Sequence, residues 1–241
     1  MSTNLFSRRQ SLQGLAIMSA GATFFPPLLQ SARAETVRDE DIFQFALNLE
    51  YMETEYYLRA TTGQGLEGTD AGSDPGKVKG GRKVPFKTKA ISEFADELAE
   101  NELAHVRFYR ETLGSDAVSR PTIDFEGGFS AVAEAAGLGA DFDPFANETN
   151  FLLGGMLFED VGVTAYKAAA PLLKKKEFVE AAAGILAVEA YHMGMARSQL
   201  YMMGEEAQKA ANGISRARDK LDGGRDLDQG IVRDGKERDC L

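Results

Sequence analysis

The chain has two histidines, and both occupy the same four-residue frame. The frames are Glu102-Leu103-Ala104-His105 and Glu189-Ala190-Tyr191-His192. Each lies in the middle of an apolar helical stripe. Around Glu102, the residues Ile91, Ala95, Leu98, Val106, Tyr109 and Leu113 recur at three- and four-residue steps. Around Glu189, the residues Phe178, Ala182, Ile185, Met193, Ala196 and Leu200 do the same. A carboxylate at the centre of a core stripe costs several kcal/mol unless it is paired or bound to a cation. Two such carboxylates facing each other repel, and a dication between them removes both penalties. Glu and His three positions apart share one helical face, so both can reach one ion.

Two further segments complete the set. Residues 39–61 place Ile42, Phe45, Ala46, Leu49, Met52 and Tyr56 on a helical stripe, and residues 147–169 are apolar almost all round, as in a helix buried among others. With 88–113 and 174–203 they predict four long helices. No alternating β-branched run reads as a strand, so the expected fold is all-α. Residues 62–87, rich in glycine, read as a long irregular loop. Residues 114–146 are long enough to cross the bundle, with a short helix expected at 129–136. Residues 170–173 read as a tight turn around Pro171, and 204–241 as a charged surface tail.

The two additional helices supply carboxylates of their own. Phe158-Glu159-Asp160 is followed by Tyr166, and Leu49-Glu50-Tyr51 by Tyr57. In both cases the tyrosine stands seven residues after the glutamate, so the chain reads as two related helix pairs. The order Glu, Glu-x-x-His, Glu, Glu-x-x-His is the ligand set of a dinuclear carboxylate site in a four-helix bundle. By helix angle Glu53 lies nearer the centre of its stripe than Glu50, and it stands as an alternative or extra ligand. Glu55 is expected to face solvent. Tyr57 and Tyr166 are read as hydrogen-bond donors to ligand carboxylates or as electron relays, with amphipathic core tyrosines as the alternative. Ligating imidazoles usually donate their second N–H, and Asn101 is placed to serve His192 across the bundle.

The length, 241 residues with 44% hydrophobic content, suits one domain with a substantial core. A single cysteine, Cys240, excludes an intramolecular disulfide and a cysteine-based metal site. A net charge of −10 with dispersed acidic residues argues against nucleic-acid binding. No nucleotide loop or Ser–His–Asp set is present. The N-terminus reads Ser7-Arg8-Arg9-Gln10-Ser11-Leu12, then an apolar stretch broken by glycine and proline, then Ala32-Arg33-Ala34. That is a twin-arginine export signal with cleavage expected after Ala34. The expected organisation is a signal at 1–34, a four-helix bundle at 35–203 and a tail at 204–241.

The phrases Ala46-Leu47-Asn48-Leu49-Glu50-Tyr51 and Phe158-Glu159-Asp160-Val161-Gly162-Val163-Thr164-Ala165-Tyr166, with the two Glu-x-x-His frames, resemble the ferritin-like superfamily. More narrowly, they resemble exported ferritin-like proteins grouped with desiccation-related proteins. The resemblance covers about residues 39–203 and implies a ferritin-like four-helix bundle with a long crossover between its second and third helices. It implies two Fe ions, or Mn. One would be held by Glu50, Glu102 and His105, the other by Glu159, Glu189 and His192, with Glu102 and Glu189 bridging. The expected activity is redox chemistry of dioxygen or hydrogen peroxide, as a ferroxidase or in peroxide detoxification, after passage through the twin-arginine export machinery into the periplasm or beyond. The alternative is a non-catalytic, stress-protective desiccation protein whose metal site is structural. A homo-oligomer remains open.

Overall fold

The computed structural model describes residues 37–221 and 228–232. The expected export signal at 1–34, residues 222–227 and residues 233–241 with Cys240 lie outside the described residues. Six helices carry the fold: α1 Asp39–Thr62, α2 Lys89–Leu113, α3 Phe125–Ala136, α4 Glu148–Ala169, α5 Lys176–Met202 and α6 Glu205–Leu221. Among the described residues, no helix is long and apolar enough to cross a membrane.

The helix ends follow from local chemistry. Asp39, Glu40 and Asp41 crowd the first turn of α1, where carboxylates meet the positive end of the helix dipole. Asp41 also accepts the Arg38 N–H at 3.1 Å. Gly63, at φ 83°, stops α1 in the left-handed region. Asn147 caps α4 by accepting the Asn150 N–H at 2.9 Å.

Helix α1 packs along α2, and α4 along α5, so the two related pairs of the sequence are pairs in space. Between them lies the expected crossover. It carries α3, which starts four residues earlier than its sequence pattern suggested because Asp124 caps it through the Gly127 N–H at 2.8 Å. Phe125 and Phe129 seat the crossover on Tyr56 and Phe158 of the bundle.

One feature departs from a purely helical chain. Val78–Lys79 and Ile123–Asp124 form a two-residue parallel pair, with Val78 opposite Ile123. It ties the long 63–88 loop to the crossover. Arg120 reinforces the tie by donating to Gly76 O at 2.5 Å and pairing with Glu55. Glu55 is therefore not at the surface, as the sequence suggested. It is fully buried, accepting from Arg59 at 2.7 Å, from the Leu66 N–H at 3.1 Å and from Arg120. Its partners come from a loop whose path no helical periodicity encodes.

The tail also differs. Residues 205–221 form helix α6, which packs on α3, α4 and α5. Ala207, Ala211, Ile214 and Ala217 are buried at three- and four-residue spacing. The charged residues between them masked this narrow stripe. Arg218 of α6 reaches Asp160 at 2.9 Å and Asp228 at 2.7 Å, and Arg197 of α5 reaches Asp160 at 2.6 Å. Asp160 is buried between the two arginines. Removing one partner of a buried ionic network leaves uncompensated charge. Asp160→Ala is therefore expected to lower stability by about 3 kcal/mol in urea unfolding.

Candidate metal centre

The six glutamates and histidines picked out in sequence converge at the middle of the bundle. Glu50 comes from α1, Glu102 and His105 from α2, Glu159 from α4, and Glu189 and His192 from α5. All four carboxylates and His192 are fully buried, and His105 is 9% exposed. Their ligand atoms form two groups, each with its atoms within 4.8 Å of one another. One is Glu50, Glu102, His105 and Glu189; the other is Glu102, Glu159, Glu189 and His192. Glu102 and Glu189 belong to both.

The contacts repeat about the centre. His105 Nδ1 lies 3.1 Å from Glu50 and 3.0 Å from Glu102. His192 Nδ1 lies 3.0 Å from Glu102 and 3.3 Å from Glu159. Each imidazole thus faces one carboxylate of its own group and one shared carboxylate.

The tyrosines are crossed between the pairs. The Tyr57 hydroxyl of α1 donates to Glu159 of α4 at 2.5 Å, and that of Tyr166 on α4 donates to Glu50 of α1. Each tyrosine orients the glutamate of the opposite pair, not the one seven residues before it. A third tyrosine, Tyr109, has its hydroxyl 2.8 Å from that of Tyr166. It stands four residues after His105, on the same helical face, and that spacing was its available signal. The Asn101 amide lies against His192 Nε2, 3.1 Å away through Nδ2. A half-turn of the amide would let its oxygen accept the Nε2–H.

Glu53 is buried too, one turn beyond Glu50, but belongs to neither group of four. Gly162 lets the α4 backbone approach these carboxylates. A Cβ there would overlap Glu189 Oε2 and sit 3.4 Å from Glu53 Oε1.

Packing so many acids together away from bulk solvent distorts their titration. Burial, outweighing His105, raises Glu50 to about 7, and burial raises Glu159 to about 6. Burial and the surrounding carboxylates hold Glu53 and Glu189 well above the usual carboxylate range. Burial would raise Glu102 too, but the two imidazoles that face it overturn that and hold it low. Burial works against charging the imidazoles, yet the Glu50 and Glu102 carboxylates push His105 up to about 11. Glu102 and Glu159 push His192 up to about 9.

The donor set fits cations. Glu102 Oε1, Glu159 Oε2, both oxygens of Glu189 and His192 Nδ1 are buried without a hydrogen-bond partner. Such orphaned groups are costly. Here they point lone pairs at one another, which a positive ion between them reverses. Carboxylate and imidazole donors suit first-row metals such as Fe and Mn.

A helical bundle that gathers four glutamates and two histidines from two helix pairs is a ferritin-like bundle. Residues 38–202 match the family model for the ferritin-like domain, and the chain belongs to that family. It is 31% identical over 200 residues to desiccation-related protein PCC13-62 of Craterostigma plantagineum, covering 76% of this chain and 62% of the relative. It is 28% identical over 172 residues to ferritin-like catalase Nec2 of Nesocodon mauritianus, covering 68% of this chain and 53% of the relative. The alignments thus span less than two thirds of either relative's length. No solved structure matches the chain.

Proposed function

We propose that this chain holds two Fe or Mn ions and acts on hydrogen peroxide or dioxygen. The observation that carries the reading is the pair of buried four-residue groups sharing Glu102 and Glu189, with their orphaned oxygens. Glu50 and His105 would complete one site, Glu159 and His192 the other. When bound, a redox-active pair supplies the two-electron capacity that peroxide disproportionation needs.

The chain's own residues set the conditions for that chemistry. Tyr57 and Tyr166 fix the two end carboxylates by donating to them. Asn101 fixes the ring plane of His192. Phe94, edge-on to His192, helps keep water out. His105 alone of the six keeps some exposure, so its side of the bundle is the approach for a small oxidant.

Peroxide is favoured over other oxidants because one relative is named a catalase. The direct test is oxygen release from hydrogen peroxide by Mn- and Fe-loaded protein, alongside ferrous-ion oxidation. Turnover in either assay supports the reading. Metal uptake without turnover would favour the second reading, a stress-protective protein with a structural metal site, which the name of the other relative supports. On its Arg8-Arg9 motif, we place the working protein in the periplasm or outside the cell after export.

Partners that orient metal ligands typically contribute 10–100-fold to affinity. Tyr57→Phe and Tyr166→Phe are each expected to weaken metal binding by roughly 10-fold, read by chelator competition. Because the bonds are crossed, each change should weaken the ion held by the opposite helix pair.

A further inference from the structure

Resting on the dinuclear reading above, we infer that Arg110 and Arg197 are positioning residues of the centre, each fixing the end ligands of one ion and not of the other. The sequence carries the device twice. Arg110 stands five residues after His105, and Arg197 five residues after His192. Their partners match as well. Tyr51 directly follows Glu50, and Asp160 directly follows Glu159.

In space each arginine clasps the partner within its own helix pair. Arg110 of α2 donates to the Tyr51 hydroxyl of α1 at 2.6 Å and to the Val118 carbonyl at 3.2 Å. Tyr51 in turn donates to that same carbonyl at 2.9 Å. Arg197 of α5 grips both oxygens of Asp160 on α4, at 2.8 and 2.6 Å, and donates to the Gln229 carbonyl at 2.8 Å. Tyr51 and Asp160 are both buried. Val118 lies in the chain that leaves the first pair, and Gln229 in the chain that follows the second. Each arginine therefore ties together the two helices of a pair and the segment that departs from them.

The ligand geometry calls for such a tie. Glu50 and His105 come from different helices, as do Glu159 and His192. Their separation depends on how the two helices of a pair sit at that level. Apolar packing is non-directional and does not fix it alone. A guanidinium fork has set directions and lengths, so it does. Tyr57 and Tyr166 act across the pairs, whereas the two arginines act within them.

The test titrates redox-inert Zn(II) against a chelator in proteins that keep one ion position each. Glu159→Ala keeps the position of Glu50 and His105, and Glu50→Ala keeps that of Glu159 and His192. In the Glu159→Ala protein, Arg110→Met and Tyr51→Phe are each expected to weaken Zn(II) binding roughly 10-fold, the low end for groups that orient metal ligands. In the Glu50→Ala protein the same two changes should leave binding unaltered. Arg197→Met should show the reverse pattern. The arginine variants leave the buried partners satisfied, so the fold survives them. Tyr51 keeps the Val118 carbonyl when Arg110 is lost, and Asp160 keeps Arg218 at 2.9 Å when Arg197 is lost. A role in stability alone would weaken both positions alike. Equal losses in the two backgrounds, or no loss in either, would overturn the assignment. A wild type that binds no Zn(II) would instead overturn the dinuclear centre itself, and the two clasps with it.

Discussion

Protein carrying Glu102→Ala and Glu189→Ala together should contain no bound metal, against about two ions per chain in the wild type. The reason is the sharing. Each four-residue group includes both glutamates, so the double change leaves Glu50 with His105 and Glu159 with His192. Two ligands per ion do not hold Fe or Mn against a chelator or water. By contrast, Glu50→Ala should empty one position and spare most of the other. Elemental analysis of protein from its native compartment reads both results. Metal retained at wild-type stoichiometry in the double variant would sink the centre as drawn.

The metal-free chain should lose stability as pH rises from 5 to 9. Glu50, lifted by burial to about 7, and Glu159, lifted to about 6, keep their protons in the folded chain. Their contribution is complete below about 4.5, the ordinary value, and is lost as pH rises through 6 and 7. The histidines act with the same sign. Their raised values, about 11 and about 9, mean a contribution complete below 6.5 and lost as pH climbs through them. Glu102 works the other way, because its value is lowered. It stabilises above about 4.5, and that contribution disappears in acid. The optimum of the metal-free protein therefore falls near pH 5. Glu50 and the groups coupled to it account together for a loss on the order of a few kcal/mol between pH 5 and 8. Bound metal should reverse the trend, since ligands must lose protons to bind. Urea unfolding at several pH values, with and without chelator, reads both slopes. A metal-free protein that gains stability toward pH 9 would contradict the burial of these acids.

The bundle and six residues of the candidate centre were legible from conflicts and repeats in the sequence. Glu102 and Glu189 interrupt apolar stripes, and a charged group in a core stripe demands a partner. The paired positions of Glu50 and Glu159 followed from repetition between halves. What was not legible depends on the path of irregular chain. Glu55 is buried because Arg120 and the Leu66 N–H arrive from loops. Helix α6 hid because a stripe of alanines is too narrow to stand out among charges. Tyr57 and Tyr166 were read as donors to ligand carboxylates, but which carboxylate each reaches was not in the spacing, and the bonds run between helices. Sequence spacing reports neighbours along one helix and is blind to which helix lies opposite.

Those crossed bonds make the two hairpins answer to each other. Loosening α1 from the bundle withdraws Tyr57 from Glu159 as well as Glu50 from Tyr166. Loosening α4 does the same in reverse. Neither hairpin can breathe alone and keep its half of the centre in shape. The two pairs should therefore open as one cooperative unit, with the slowest-exchanging amides of α1 and α4 sharing a single opening free energy.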